Sequence, residues 1–188
     1  SPSKSLKIEF QGGEPLLNFE LIKFIVETAQ AINENEKRDL QFVITSNLTF
    51  LDNSVLSFCE KYDIYISTSL DGPEELHNKN RPRPKKDGYT KTISSIKRIQ
   101  EFLGPHKVSA LMTTTADALE KPIDIIDEYV QQNLHSIFLR PISPYGFAIK
   151  TKQSEKYNIS LHGWWPLARR HLRLQTLAEK VQRPRSPK

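Results

Sequence analysis

Five short runs of apolar, β-branched or aromatic residues punctuate the chain: Leu6–Phe10, Leu40–Thr45, Ile64–Leu70, Val108–Thr113 and Ile137–Leu139. Between them apolar residues recur at helical spacing. Phe19, Ile22, Ile25, Val26 and Ala29 share one side of a predicted helix that Asn18 can cap. Val55, Leu56, Cys59 and Tyr62 mark a second, capped by Asp52 or Asn53, and Ile93, Ile96, Ile99 and Leu103 a third. Pro122 at a first-turn position, followed by Ile123, Ile126, Tyr129 and Val130, marks a fourth. Strands alternating with helices predict parallel strands joined by crossovers. Continuous apolar runs are expected where both strand faces are covered. The fold class is therefore α/β, with about five parallel strands and crossover helices. An open doubly wound sheet and part of a (β/α) barrel both fit this order.

Two stretches interrupt the alternation. Asp71–Gly88, rich in proline and charge, reads as a long connection between a strand and its helix. From Leu161 onward the chain gathers Trp164, Trp165, Pro166, Pro184 and Pro187; Leu167–Val181 can form one basic helix, and Arg183–Lys188 reads as disordered. Residues 1–160 are thus expected to form one partial barrel, and residues 161–188 a basic Arg/Trp/Pro-rich tail.

Composition narrows the function. The chain has 188 residues, 37% of them hydrophobic, enough for one domain with a core of its own. Mean hydropathy is −0.52. No apolar run approaches the roughly 18–20 residues of a membrane span, and no secretory signal opens the sequence, so no membrane partner is expected. The lone cysteine, Cys59, is too few for a disulfide scaffold, a Cys-rich zinc site or, within this chain, an iron–sulfur cluster; no metal ligand is assigned. Cys59 itself reads as a small buried hydrophobe. A first residue other than Met is expected of a processed product or a piece of something longer. The net charge of +5 is concentrated in Arg169, Arg170, Arg173, Lys180, Arg183, Arg185 and Lys188, opposed in that tail only by Glu179. The remainder is near neutral, so no nucleic-acid partner is expected.

Candidate chemistry sits at the strand ends. Each predicted strand runs into a polar or glycine-rich group: Gln11-Gly12-Gly13-Glu14-Pro15, Thr45-Ser46-Asn47, Ser69-Leu70-Asp71-Gly72, Thr113-Thr114-Thr115 and Arg140-Pro141-Ile142-Ser143. Parallel α/β folds bind ligands outside the carboxyl ends of their strands, so these groups are expected to line one mouth. Turn and capping preferences account for any one of them alone. Gly12-Gly13 differs, because paired glycines let backbone approach a ligand, and Glu14 beside them suits a ligand ammonium. A solvated Glu14 favoured by the following helix dipole is the plainer reading. Glu14 and Asp71 as an acid/base pair would instead describe a barrel hydrolase. A third reading is a non-catalytic module holding a peptide or protein. His77 reads as an exposed loop residue, His106 as a turn residue, and His162 and His171 as tail residues without metal spacing. Arg81, Arg83, Lys85 and Lys86 read as a solvated loop that could steer an acidic peptide, and Arg140 as an anion contact.

Gly12-Gly13-Glu14-Pro15-Leu16, Ser69-Leu70-Asp71-Gly72-Pro73 and His77-Asn78-Lys79-Asn80-Arg81 together resemble the radical S-adenosylmethionine (radical SAM) superfamily. Within it, the similarity is to peptide maturases of the sulfatase-maturase type with a SPASM auxiliary-cluster region. The run Ile137–Ala148 further resembles the HxsB maturases of the His-Xaa-Ser peptide system. The resemblance covers roughly Leu6 to Lys156 and implies a partial, incomplete TIM-like (β/α) barrel. It implies two cofactors, S-adenosylmethionine and a [4Fe–4S] cluster, with a peptide substrate, an electron donor and a reducing cytoplasmic setting. Cleavage of the sulfonium would yield a 5′-deoxyadenosyl radical that abstracts hydrogen from the peptide. It implies that Gly12, Gly13, Glu14 and Pro15 cradle the methionyl ammonium, and that Ser46, Asn47 and Ser69 contact ribose or carboxylate. Arg81 would meet the methionyl carboxylate. Arg140 is a further cofactor contact, as is Asp71 unless it only closes its turn. The family's CxxxCxxC loop and SPASM cysteines are absent from this sequence, so the chain is expected to be a fragment, inactive alone and prone to aggregate.

Overall fold

The computed structural model describes residues 3–141. The expectations for Ile142, Ser143 and the rest of the run to Ala148, and for the tail with its helix, its disordered end, His162 and His171, concern positions outside those residues. Five strands, β1 (Ser5–Phe10), β2 (Asp39–Thr45), β3 (Tyr65–Ser69), β4 (Val108–Thr114) and β5 (Ile137–Pro141), run parallel in the order β1-β2-β3-β4-β5. The order follows the sequence without reversal, whereas a doubly wound sheet reverses at a switch point. The fold is therefore an α/β partial barrel.

Six helices lie among the described strands: α1 (Phe19–Glu36), α2 (Asn53–Lys61), α3 (Glu74–Asn80), α4 (Gly88–Leu103), α5 (Ala116–Glu120) and α6 (Pro122–Gln131). Asp52 caps α2, its side chain accepting from the Val55 N–H. Asn18 precedes α1 but makes no side-chain cap bond; Glu14 caps the 3-10 turn Pro15–Asn18 ahead of it instead. Pro122 occupies the first turn of α6, as expected of a residue without an N–H. The connection Asp71–Gly88 is not structureless. It contains α3, and the Asn78 Oδ1 accepts from the Tyr89 N–H, one residue into α4.

The described residues divide into two compact units, one of residues 3–69 with 91–109 and one of residues 70–90 with 110–141. In the first unit, β1 pairs with β2 from Ser5↔Asp39 to Phe10↔Ile44, and β2 with β3 from Val43↔Tyr65 to Thr45↔Ser67. Its core is Ile22 and Val26 of α1, Phe42 and Ile44 of β2, Val55, Leu56 and Cys59 of α2, Ile64, Ile66, Ile96 and Ile99. In the second unit, β4 pairs with β5 from Ala110↔Ile137 to Thr114↔Pro141. Leu70, Leu76, Met112, Ile125, Ile126, Tyr129 and Leu139 form its core. Each full burial of such a side chain is worth about 1.5–3 kcal/mol.

The expectation that both faces of the strands are covered holds for β2, where Phe42, Val43 and Ile44 are all buried. It fails for β3 and β4. Ile66 and Thr68 are buried while Tyr65, Ser67 and Ser69 are half-buried, and Ala110 and Met112 are buried while Leu111 and Thr113 are half-buried. Period-two alternation leaves these strands one polar, partly open face.

Candidate functional site

The first unit builds its candidate site at the ends of β1 and β2. After Phe10 the backbone turns through Gly12, whose φ of +156° disfavours other residues. A Cβ built on Gly12 or Gly13 meets nothing within 4 Å, so this corner has an open side. Glu14 follows, half-buried, and its carboxylate ties the two strand ends together. Glu14 Oε1 accepts from the Leu16 N–H at 3.1 Å and from the Ser46 hydroxyl at 2.7 Å, and Oε2 from the Asn47 N–H at 2.8 Å. Ser46 Oγ in turn accepts from the Leu48 N–H, and Asn47 Oδ1 from the Thr49 N–H. The solvated Glu14 is thereby excluded. Two carboxylate oxygens offer about four acceptor positions, and these bonds use three, leaving one on Oε2. Pro15 stiffens the exit as the first residue of the 3-10 turn. Ser69 closes β3 on the face of Tyr65 and Ser67. No hydrogen bond among the described residues ties it to the Glu14 cluster.

The second unit organises the turn after β3. Asp71 is completely buried. Its Oδ1 accepts from the Thr113 N–H at 2.8 Å and from Arg81 Nη2 at 3.3 Å, and its Oδ2 from Arg81 Nε at 2.8 Å. Protein donors engage both oxygens, which is the turn-closing arrangement, so neither a cofactor contact at Asp71 nor its pairing with Glu14 as acid and base gains support. Arg81, at the C-terminal end of α3, also donates from Nη2 to Thr113 Oγ1 at 3.2 Å, so it is no loosely solvated loop residue. Gly72 has φ +123°, and a Cβ there would lie 2.9 Å from Ile125 Cγ1.

His77 also departs from expectation: it is buried within α3, 2% exposed. Its Nδ1 accepts from the Asp71 N–H at 3.3 Å, which requires a neutral ring with its proton on Nε2. Burial lowers its pKa to about 4, against the opposing pull of the Asp71 charge. The ring meets Tyr89 edge-on at 6.2 Å, and the Tyr89 hydroxyl donates to the buried Glu128 at 2.6 Å. The Tyr129 hydroxyl donates to the Leu70 carbonyl at 2.6 Å, which fixes the backbone just ahead of Asp71. Sequence reasoning missed His77, Thr113 and Tyr129 as turn-builders. Opposite charges at Asp71 and Arg81, ten residues apart within one connection, were the available signal.

Arg140, in β5, is exposed and lies opposite Thr113 in the strand register. Cys59 is buried, which pushes its thiol up to about 12. No group of three or more His, Cys, Asp or Glu among the described residues could hold a metal ion. A [4Fe–4S] cluster, which takes three or four thiolates, therefore does not fit the residues of this chain. Among the described residues no helix is long and apolar enough to cross a membrane.

No family model matches the sequence. The chain is 31% identical over 127 residues to an uncharacterized protein of Methanocaldococcus jannaschii, covering 67% of this chain and 41% of that protein. It is 25% identical over 167 residues to the cysteine-type anaerobic sulfatase-maturating enzyme of Clostridium perfringens (83% of this chain, 44% of that one). It is also 26% identical over 99 residues to the radical SAM cyclopropyl synthase TigE of Paramaledivibacter caminithermalis (53% and 20%). The fold is similar to the solved structure of native anSMEcpe with bound AdoMet and the Kp18Cys peptide. The TM-score there is 0.67 at 20% identity, over 87% of this chain and 47% of that one. The chain spans less than half the length of each. The sequence is thus similar to those of a sulfatase-maturating enzyme and a radical SAM enzyme, and the structural likeness shows a shared fold.

Proposed function

We propose that this chain is the S-adenosylmethionine-binding portion of a radical SAM enzyme that modifies a ribosomally made peptide. The observation that carries the reading is the Gly12-Gly13-Glu14 corner, open on its glycine side and tied to the next strand end through Ser46 and Asn47. An open diglycine backbone offers carbonyl acceptors to the methionyl ammonium where side chains would intrude. The remaining acceptor position of Glu14 Oε2 adds negative charge there, and Pro15 keeps the corner rigid. The Asn47 side chain and the Ser69 hydroxyl are the polar groups of the same unit proposed for the ribose or carboxylate. When bound, S-adenosylmethionine supplies the adenosyl group that abstracts hydrogen from the peptide. This chain's residues bind and orient it; without thiolates for a cluster the chain alone performs no radical step.

The finer assignment, an HxsB-type maturase acting in the cytoplasm with an electron donor, rests on the Ile137–Ala148 run and is part of this proposal. So is the division at about residue 160 and the description of the chain as a fragment. A second reading, a non-catalytic peptide-binding partial barrel, is favoured by the missing thiolates. The hydrolase reading gains no support from the enclosure of Asp71. Calorimetric titration of the folded 188-residue chain with S-adenosylmethionine tests the proposal. Saturable binding that weakens at least ten-fold in Gly13→Val, with an unchanged melting temperature, is expected. A folded chain that binds none overturns it in favour of the second reading.

A further inference from the structure

The second unit carries two guanidinium groups beside one rung of a strand pair. β4 and β5 are in register with Leu111 opposite Phe138 and Thr113 opposite Arg140. Residues paired across neighbouring strands point to the same face, and successive residues to opposite faces. The burial pattern agrees: Ala110, Met112 and Leu139 are buried on one face, whereas Phe138 and Arg140 are exposed on the other, Phe138 at 65%. Arg81 reaches the Thr113 hydroxyl from α3.

The charges on this rung are unequal. Arg81 is matched by Asp71 through Nε and Nη2, and that fork holds the guanidinium plane in place. Nη1 donates no hydrogen bond among the described residues, and the side chain is 36% exposed. No carboxylate among the described residues pairs with Arg140. Thr113 Oγ1 accepts from Arg81, so its own hydrogen remains to be donated. Among the described residues, one positive charge is thus unmatched beside a fixed arginine edge and a hydroxyl donor. Phe138 lies two residues earlier on the same face, roughly 6–7 Å along the strand. A ligand that satisfies this surface carries a single carboxylate and an apolar group within one residue's reach of it.

We propose that Arg140, Thr113 and the outer edge of Arg81 form a carboxylate-binding subsite that takes an acidic side chain of the peptide substrate. Phe138 receives the apolar neighbour of that acidic residue, and Asp71 is the positioning residue of Arg81. The peptide origin of the carboxylate rests on the function proposed above; the anion chemistry does not.

The test uses the full 188-residue chain labelled with 15N at arginine, titrated with N-acetyl-Phe-Glu-amide, its Gln counterpart and S-adenosylmethionine in low salt. The Glu peptide is expected to move the Arg140 Nε–H signal and to bind roughly three- to ten-fold more tightly than the Gln peptide. Arg140→Gln should abolish that preference while leaving the melting temperature unchanged, because the side chain is exposed. Equal binding of the two peptides, no saturable shift with either, or a preference that survives in Arg140→Gln overturns the subsite. If Arg140→Gln weakens S-adenosylmethionine and leaves the Glu preference intact, the methionyl carboxylate is the occupant and the peptide assignment is wrong. If S-adenosylmethionine fails to bind while the Glu preference is present and lost in Arg140→Gln, the cofactor reading fails and the subsite stands.

Discussion

His77 makes the stability of this protein depend on pH in a direction its location dictates. Its folded pKa is about 4 against an ordinary value of 6.5, because burial disfavours the imidazolium. Between those values the unfolded chain binds a proton that the folded chain refuses. The contribution is therefore fully present above about 6.5, falls away as pH drops toward 4, and is gone below 4. The gap corresponds to about 3 kcal/mol. Carboxylates also destabilise the protein in acid, so the effect must be isolated by comparison. His77→Asn keeps an acceptor near the position of Nδ1 for the Asp71 N–H but cannot titrate in this range. It also loses the contact with Tyr89, a constant offset of about 1 kcal/mol. Urea midpoints measured from pH 7.5 to 4 should show the wild type losing about 3 kcal/mol more than the variant, with the divergence starting near pH 6.5. Parallel profiles for the two proteins would refute the reasoning, since they would mean that His77 charges without opening the turn.

Gly72→Ala should cost about 2–4 kcal/mol or abolish cooperative folding, because φ of +123° strains a Cβ that also runs into Ile125; a melting curve reads this directly. Asp71→Ala leaves the half-buried Thr113 N–H without its carboxylate acceptor, while the partly exposed Arg81 can turn to water, so about 1–3 kcal/mol is expected from denaturant unfolding. Glu14→Gln keeps one acceptor oxygen but weakens the charged bonds to Ser46 and Asn47. A loss of about 1–2 kcal/mol is expected, and hydrogen exchange at the Asn47 amide should accelerate with it.

Strands and long helices were legible because each buries a run or stripe of large apolar residues, as Ile22 and Val26 do on α1 and Phe42 to Ile44 on β2. Helix α3 was not. Its sequence Glu-Glu-Leu-His-Asn-Lys-Asn offers only Leu76 as an apolar residue, so the helix exists through tertiary anchoring of Leu76 and His77 rather than through periodicity. Asp71 shows a second limit. A carboxylate after a strand looks the same in sequence whether it meets a ligand or an arginine ten residues on. Only the closure of the connection over α3 distinguishes the two. At Glu14 the diglycine beside it leaves an open side, and the tie of its carboxylate to Ser46 and Asn47 could not be read in advance because those residues lie a strand away in sequence.

The one thiol of the chain doubles as a clock. Cys59 lies at 1% exposure inside the first unit, and its raised pKa keeps it protonated at neutral pH, so a disulfide reagent reaches it only when that unit breathes. Labelling rates would then time the breathing of residues 3–69 and 91–109 without any engineered probe.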